Sequence, residues 1–285
     1  MFPSSLDALV TRALEEDLAG GDLTTEATVD PEQYAVAEAV AKAELVLSGG
    51  EVFARTFYAV SPSCRVEQLV PDGQLVQKRT TLLRVEGPAQ QLLMAERTAL
   101  NFIQRLSGTA TLTRRFVDAA QGKLRVCDTR KTTPLLRALE RKAVRDGGGH
   151  NHRDNLGSAV MIKDNHIAAS GGIAPAVARA RERAPHTCRV EVEVSNLAEI
   201  EEALEAKADI LLLDNFSDEA TAQAVQLCEG RALIELSGNM SLERVSALSS
   251  CGADVVSVGA LTHSAPAADI SLRLRPVSED APPVP

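Results

Sequence analysis

From Leu124 onward the chain repeats one pattern: a short apolar run, then a stretch with helical spacing. Apolar runs fall at 124–128, 159–163, 189–194, 209–214, 231–236 and 254–259. Helix-period segments lie between them, at about 134–145, 172–183, 196–206, 217–228 and 241–251. Glu193, Asp214, Glu235 and Ser257 follow one another at steps of 21, 21 and 22 residues. Strands alternating with short helices at that pitch predict βα units on a parallel sheet, wound in one sense by right-handed crossovers. A complete eight-unit barrel needs ~250 residues. Leu124 to Thr262 spans 139 residues and six units, so the expectation is an incomplete barrel.

Before this region the pattern is mixed. Leu6, Leu9, Val10, Ala13, Leu14 and Leu18 have helical spacing behind the cap candidates Ser4 and Ser5. Gly20 to Thr25 reads as a turn. Residues 34–47 and 64–86 read as strands, with Pro71-Asp72-Gly73 as a tight turn. Residues 88–106 and 109–120 read as two helices divided by Ser107-Gly108. The expected class is α/β: an N-terminal α+β domain over 1–115, then an incomplete parallel β/α barrel of about six units over 116–264. Residues 265–275 are expected to pack back on the first domain. Pro276 to Pro285, with four prolines, is expected to fray.

Composition narrows the functional classes. Hydrophobic residues are 45% and charged residues 24%, a globular balance. No apolar run reaches the ~18–20 residues of a membrane span. The start has neither the basic nor the apolar region of a signal peptide, and the expected compartment is the cytoplasm. The five cysteines are odd in number and lack C-x-x-C spacing, so they read as reduced core residues. A net charge of −9 disfavours a general nucleic-acid or membrane binder. That charge is uneven: between Arg130 and Lys163, eight basic residues stand against three acidic ones. Arg137, Arg141 and Arg145 read as one solvated helix face. Arg130, Lys131, Arg153 and Lys163 do not belong to one helix.

Candidate chemistry gathers at the predicted strand ends. Asp128-Thr129-Arg130-Lys131 follows the first strand, and Lys163-Asp164-Asn165-His166 ends the second. Glu191 and Glu193 alternate with valines on the third. Asp214-Asn215 ends the fourth, Glu235 and Ser237-Gly238-Asn239 close the fifth, and Gly259-Ala260 closes the sixth. Parallel strands point the same way, so all these residues share the face where α/β barrels bind ligands. Arg130, Lys131, Arg153 and Lys163 suit a polyanionic small molecule, because guanidinium forks match carboxylate or phosphate. Glu193 and Asp214 suit magnesium or sugar hydroxyls. The small-residue turns at 237–239 and 259–260 offer backbone N–H groups to a phosphate. His152 reads as a hydrogen-bond donor to an acidic substrate, since the histidine spacing closes no zinc set. Arg97, on a predicted helix, reads by itself as a surface charge. Dinucleotide, Walker and nucleophile-elbow motifs are absent.

Eight blocks in order resemble the quinolinate phosphoribosyltransferase family. They are Gly21-Asp22-Leu23-Thr24-Thr25, Ala95 to Asn101, Asp128 to Pro134, Gly147 to Arg153, Ile162 to His166, Glu191 to Val194, Leu212 to Asn215, and Gly259 to Ser264. The resemblance implies a dimer with sites at its interface. It also implies a reaction: quinolinate and 5-phosphoribosyl 1-pyrophosphate give nicotinate mononucleotide, pyrophosphate and carbon dioxide, with magnesium, on the route to NAD. Arg130, His152, Arg153 and Lys163 fall on positions facing the quinolinate carboxylates, with Thr129 and Lys131 alongside. Arg97 falls on a position supplied by the neighbouring subunit. Glu193 and Asp214 fall near ribose and magnesium. Ser237, Gly238 and Asn239, with Ser257, Val258 and Gly259, fall on the 5-phosphate cradle. Lys131, Lys163, Glu193 and Asp214 are the implied catalytic set. The chain departs from the family pattern at Leu135 and Asn239, where glycine is usual, at Ala143, where tyrosine is common, and at Ser158, where aspartate is frequent. Two other readings stand beside this one: the molybdate-linked paralogous transferase with another acceptor, and a non-catalytic binder of phosphorylated acids.

Overall fold

A computed structural model describes residues 3–277; the frayed tail expected from Pro276 is not found at Pro276, which closes the last strand opposite Ala35, and lies outside the described residues from residue 278 onward. The chain forms two compact units. One contains the residues up to Leu112, Thr133–Gly148, and those from Ala265; the other contains Thr113–Thr132 and Gly149–Ser264.

The first unit opens with helices α1 (Pro3–Leu18) and α2 (Leu23–Thr28). Asp22 caps α2 by accepting the Thr25 N–H at 3.0 Å, so the expected turn carries a short helix. Then come β1 (Tyr34–Ala41), β2 (Leu45–Val46), α3 (Gly50–Val60), β3 (Arg65–Gln68), β4 (Leu75–Val76), β5 (Thr81–Pro88) and α4 (Ala89–Ala119). In β1 the alanines at 35, 37 and 39 are fully buried, the period-2 signature of one covered face. They belong to one apolar cluster with Phe53, Phe57, Leu82, Val85, Leu92 and Ile103.

Helix α4 is a single helix of 31 residues, where two were expected. Ser107 and Gly108 do not break it, because tertiary contacts use both. The buried Ser107 hydroxyl donates to the Ser48 carbonyl at 3.1 Å and accepts the Ser48 N–H. A Cβ on Gly108 would come within 2.0 Å of the Pro266 carbonyl oxygen. Glycine here permits close approach, not chain reversal.

The second unit is the barrel sheet: β6 (Arg125–Cys127), then, past α5 (Arg137–Asp146), β7 (Val160–Ile162), α6 (Asp164–Ser170), α7 (Ile173–Arg183), β8 (Val190–Val194), α8 (Leu197–Glu205), β9 (Ile210–Asp214), α9 (Asp218–Cys228), β10 (Leu233–Ser237), α10 (Leu242–Leu248), β11 (Val255–Ser257) and α11 (Ala260–His263). All six strands pair in parallel, in the order β6-β11-β10-β9-β8-β7. The incomplete parallel β/α barrel is therefore present, and its seam lies between the consecutive strands β6 and β7. Beside β6 stands His150, bridged in parallel to Cys127. Helix α5, expected as a barrel helix, is grouped with the first unit. The last strand, β12 (Ile270–Pro276), returns to the first unit and pairs antiparallel with β1, on the side away from β5. Among the described residues no helix is long and apolar enough to cross a membrane.

Candidate active site

Register brings the barrel residues together. Glu193 pairs with Leu212 and Leu212 with Glu235, while Asp214 pairs with Ser237 one step higher. Residues in register share a face, and so do residues two apart on a strand. Glu191, Glu193, Leu212, Asp214, Glu235 and Ser237 therefore all face the barrel interior. Above them opens a cavity of about 610 Å³. Twelve of the residues predicted from sequence line it: Thr129, Arg130, Lys131, His152, Arg153, Lys163, Glu193, Asp214, Ser237, Gly238, Asn239 and Ser257.

Three predicted residues lie elsewhere. Val258 is buried, with its N–H donating to the Cys127 carbonyl at 2.9 Å. A Cβ on Gly259 would stand 3.2 Å from Lys131 Cδ, so this glycine makes room for the Lys131 side chain. Arg97 lies on α4 in the first unit, in a separate cleft of about 230 Å³ with Glu16, Asp17, Asn101 and Arg105. Met161 and Leu212 line the barrel cavity unforeseen; a single apolar residue on a buried strand carries no sequence signal for a site.

The mouth is strongly polar. Lys163 Nζ meets Glu193 Oε2 at 2.5 Å. Asn215 Nδ2 donates to Asp214 Oδ2 at 2.9 Å. Lys131 is held by its own backbone: its carbonyl accepts from the Thr262 hydroxyl at 2.8 Å. Burial, and next the charge of Arg130, lower the Arg153 pKa. The cluster is thus a concentrated positive field. At the tips of β9 and β10, Asn215 and Asn239 both adopt left-handed backbone, with φ of 57° and 45°. Between them in space, a Cβ on Gly238 would meet Asn215 Oδ1 at 2.1 Å. The departure at Asn239 is explained: asparagine tolerates the left-handed region better than any other non-glycine residue with a Cβ of its size.

Beneath the mouth lies a buried polar floor. Asp128 is fully buried; one carboxylate oxygen accepts the His152 N–H at 2.7 Å and the other accepts from Asn151 Nδ2 at 2.6 Å. His152 Nε2 stands 3.5 Å from Glu191 and 3.3 Å from Glu235. Its Nδ1 accepts the Arg153 N–H at 2.7 Å. Both ring nitrogens thus face protein groups, unlike the expected donation to substrate. Burial works against a charged ring, but the two carboxylates outweigh it and raise the His152 affinity for a proton. Burial likewise raises Glu191, with the Glu235 charge adding to it. The trio as a unit therefore holds its protons tightly: the Arg153 N–H at Nδ1 leaves the ring's own proton on Nε2, and the further proton is carried by the buried glutamates. Nearby, burial pushes the Cys127 thiol up to about 12, which leaves it inert as a nucleophile.

Two groups of side chains have the chemistry of metal ligands. Glu193 and Asp214 are hard donors at the open mouth, a set magnesium takes together with substrate phosphates and water. The His152–Glu191–Glu235 set has its ligand atoms within 4.8 Å of one another. There the hydrogen bond from Arg153 keeps Nδ1 bare and the proton on Nε2, so the nitrogen facing the glutamates is a donor and not a ligand.

An open parallel barrel with cations and carboxylates around one mouth defines a protein that acts on a polyanionic small molecule. Family models agree over nearly the whole chain: the quinolinate phosphoribosyl transferase N-terminal domain matches residues 22–107 and the C-terminal domain matches 109–273. A probable nicotinate-nucleotide pyrophosphorylase [carboxylating] of Bacillus subtilis is 40% identical over 268 residues, 94% of this chain and 92% of that one. The nicotinate-nucleotide pyrophosphorylase [carboxylating] of Mycobacterium leprae is 43% identical over 272 residues, covering 93% and 95%. The crystal structure of NadC from Streptococcus pyogenes superposes with a TM-score of 0.93 at 42% identity, covering 98% of this chain and 99% of that one. The chain belongs to the quinolinate phosphoribosyltransferase family.

Proposed function

We propose that the barrel cavity is where this enzyme joins quinolinate to a phosphoribosyl group. The activity is that of its family: quinolinate and 5-phosphoribosyl 1-pyrophosphate become nicotinate mononucleotide, pyrophosphate and carbon dioxide, a step of NAD biosynthesis. The observation that carries the assignment of roles is the gathering of Arg130, Arg153, Lys163, Glu193 and Asp214, from five separate chain segments, on one cavity.

In this reading Arg130, Arg153 and Lys163 hold the two carboxylates of quinolinate, with Thr129 and Lys131 beside them. The dicarboxylate is thereby oriented with its ring nitrogen toward ribose C1, which is catalysis by positioning. Ser237, Gly238 and Asn239 receive the 5-phosphate, and Ser257 borders it. As the bond from C1 to pyrophosphate breaks, positive charge grows on the sugar, and Glu193 and Asp214 stand on the same cavity to stabilise it. Glu193 and Asp214 would hold magnesium, the proposed cofactor, which would supply positive charge for the leaving pyrophosphate. Once the ring nitrogen is quaternary, the 2-carboxylate departs as carbon dioxide, the nitrogen stabilises the carbanion left behind, and that carbon takes a proton from water to give nicotinate mononucleotide. Neither a covalent nucleophile nor a general base on the protein is required.

The proposed assembly is a homodimer in which the partner subunit lends Arg97 to this mouth. The proposed compartment is the cytoplasm, in keeping with five cysteines outside any disulfide. The test is direct. The protein is incubated with quinolinate, phosphoribosyl pyrophosphate and magnesium, and nicotinate mononucleotide and carbon dioxide are measured. Equal yields of both are expected. Ligand-induced stabilisation without product would leave a binder, and turnover of another acceptor only would leave the molybdate-linked reading.

A further inference from the structure

The substrate roles above leave the floor of the cavity unused. Glu191 and Glu235 are each 3% exposed, on strands separated by β9. They converge on one histidine nitrogen, His152 Nε2. Oε1 of Glu191 and Oε1 of Glu235 each lack a well-aligned hydrogen bond, and the Glu235 Oε1 stands 3.3 Å from Nε2. Two buried carboxylates sharing one donor are costly in isolation, and such clusters persist where a function needs them.

The hydrogen-bond polarity shows what they do. The Arg153 N–H donates to His152 Nδ1 at 2.7 Å. That bond requires a bare Nδ1, so the neutral ring carries its proton on Nε2, toward the glutamates. Without acceptors at Nε2, the proton would be as well placed on Nδ1, and the Arg153 N–H would then face another donor. Asp128 completes the frame by taking the His152 N–H and the Asn151 side chain. The segment 151–153 is thereby held at a side chain, at a backbone N–H and at a ring, and the arginine that ends it borders the cavity.

We propose that Glu235, together with Glu191, is a positioning residue that acts through His152: the glutamates hold the ring's Nε2 proton, the ring's Nδ1 holds the Arg153 backbone, and the Arg153 guanidinium is thereby aimed at a substrate carboxylate. This rests on the reading of Arg153 as a quinolinate contact. It gives His152 a framing role where direct donation to substrate was expected. It also explains how two guanidinium groups, Arg130 and Arg153, stay close despite their repulsion: the backbone of one is tied from below.

The experiment compares Glu235→Ala, Glu235→Gln and Arg153→Ala in steady-state kinetics with each substrate varied. It adds imidazole nitrogen NMR of the unliganded wild-type protein, with the His152 signals identified by their loss in His152→Gln. For Glu235→Ala the quinolinate KM is expected to rise roughly tenfold or more, while the phosphoribosyl pyrophosphate KM stays put. Gln at this position keeps an acceptor and should recover most of the loss. A merely structural role would instead lower thermal stability and move both KM values together, which overturns the proposal. The NMR readout is taken on wild type, with folded His152→Gln used only to assign its signals: a protonated Nε2 with a bare Nδ1 supports the proposal, and a protonated Nδ1 overturns it. If Arg153→Ala leaves the quinolinate KM unchanged, the site reading itself fails. If Arg153→Ala raises it and folded Glu235→Ala does not, only this inference fails.

Discussion

Each unit buries glutamate completely or nearly so, and the two treat it in opposite ways. Glu140, in the first unit, is fully buried, and both of its oxygens are hydrogen-bonded. Arg105 donates to it from Nε and Nη2 at 3.1 and 2.9 Å, and Thr133 adds its N–H at 3.0 Å and its hydroxyl at 2.8 Å. Glu191 and Glu235, in the barrel, are buried almost as deeply, yet they share the Nε2 of one histidine. A carboxylate with both oxygens hydrogen-bonded, beside a cation, contributes to architecture. A carboxylate left short of partners under a cavity raises the energy of the folded state, and it marks the place where chemistry is organised.

This contrast can be broken by mutation. The largest effect is expected at the mouth: Lys163→Ala should lower the rate of nicotinate mononucleotide formation roughly 100-fold or more. Its melting temperature should barely move, because the Lys163 side chain is 42% exposed. Near-normal turnover would remove Lys163 from the site. Next, Glu140→Ala should cost about 3–5 kcal/mol of stability, read by urea unfolding, because Arg105 loses its acceptor. Its quinolinate KM should change little; a lost KM with unchanged stability would erase the distinction between the two kinds of buried glutamate. The smallest effect concerns backbone strain in the first unit. Leu135 departs from the family's glycine and sits at φ 66°, a residue 73% exposed. Leu135→Gly should raise stability by about 1 kcal/mol, measured the same way. A loss on that substitution would show that the leucine side chain makes a compensating contact.

Much of this arrangement was legible in the chain. The six barrel strands lie within two residues of their expected ends, because buried parallel strands are short apolar runs and their helices repeat at a constant pitch. The cations and acids at the mouth were legible for the same reason, since a polar residue closing an apolar run has one place to point. Helix α3 went unread, although Phe53 and Phe57 lie four residues apart on its buried side with ring centroids 5.0 Å apart. The break expected at Ser107-Gly108 was a local preference overruled by packing against Ser48 and Pro266. The departure at Ala143 is a buried residue in a second apolar cluster, with Leu6, Val10 and Leu139. At Ser158 the hydroxyl bonds only within its loop, to Asn155.

The sequence by itself determined the parallel βα order, the number of strands and the identity of most residues at the mouth. These follow from periodicity, and in a parallel sheet periodicity also decides direction. Only the tertiary structure decided that the seam falls between β6 and β7, that α4 runs unbroken, and that both nitrogens of His152 are turned to protein groups. Each of those depends on atoms brought into contact from dozens of positions apart, and local spacing carries no record of which donor will meet which acceptor.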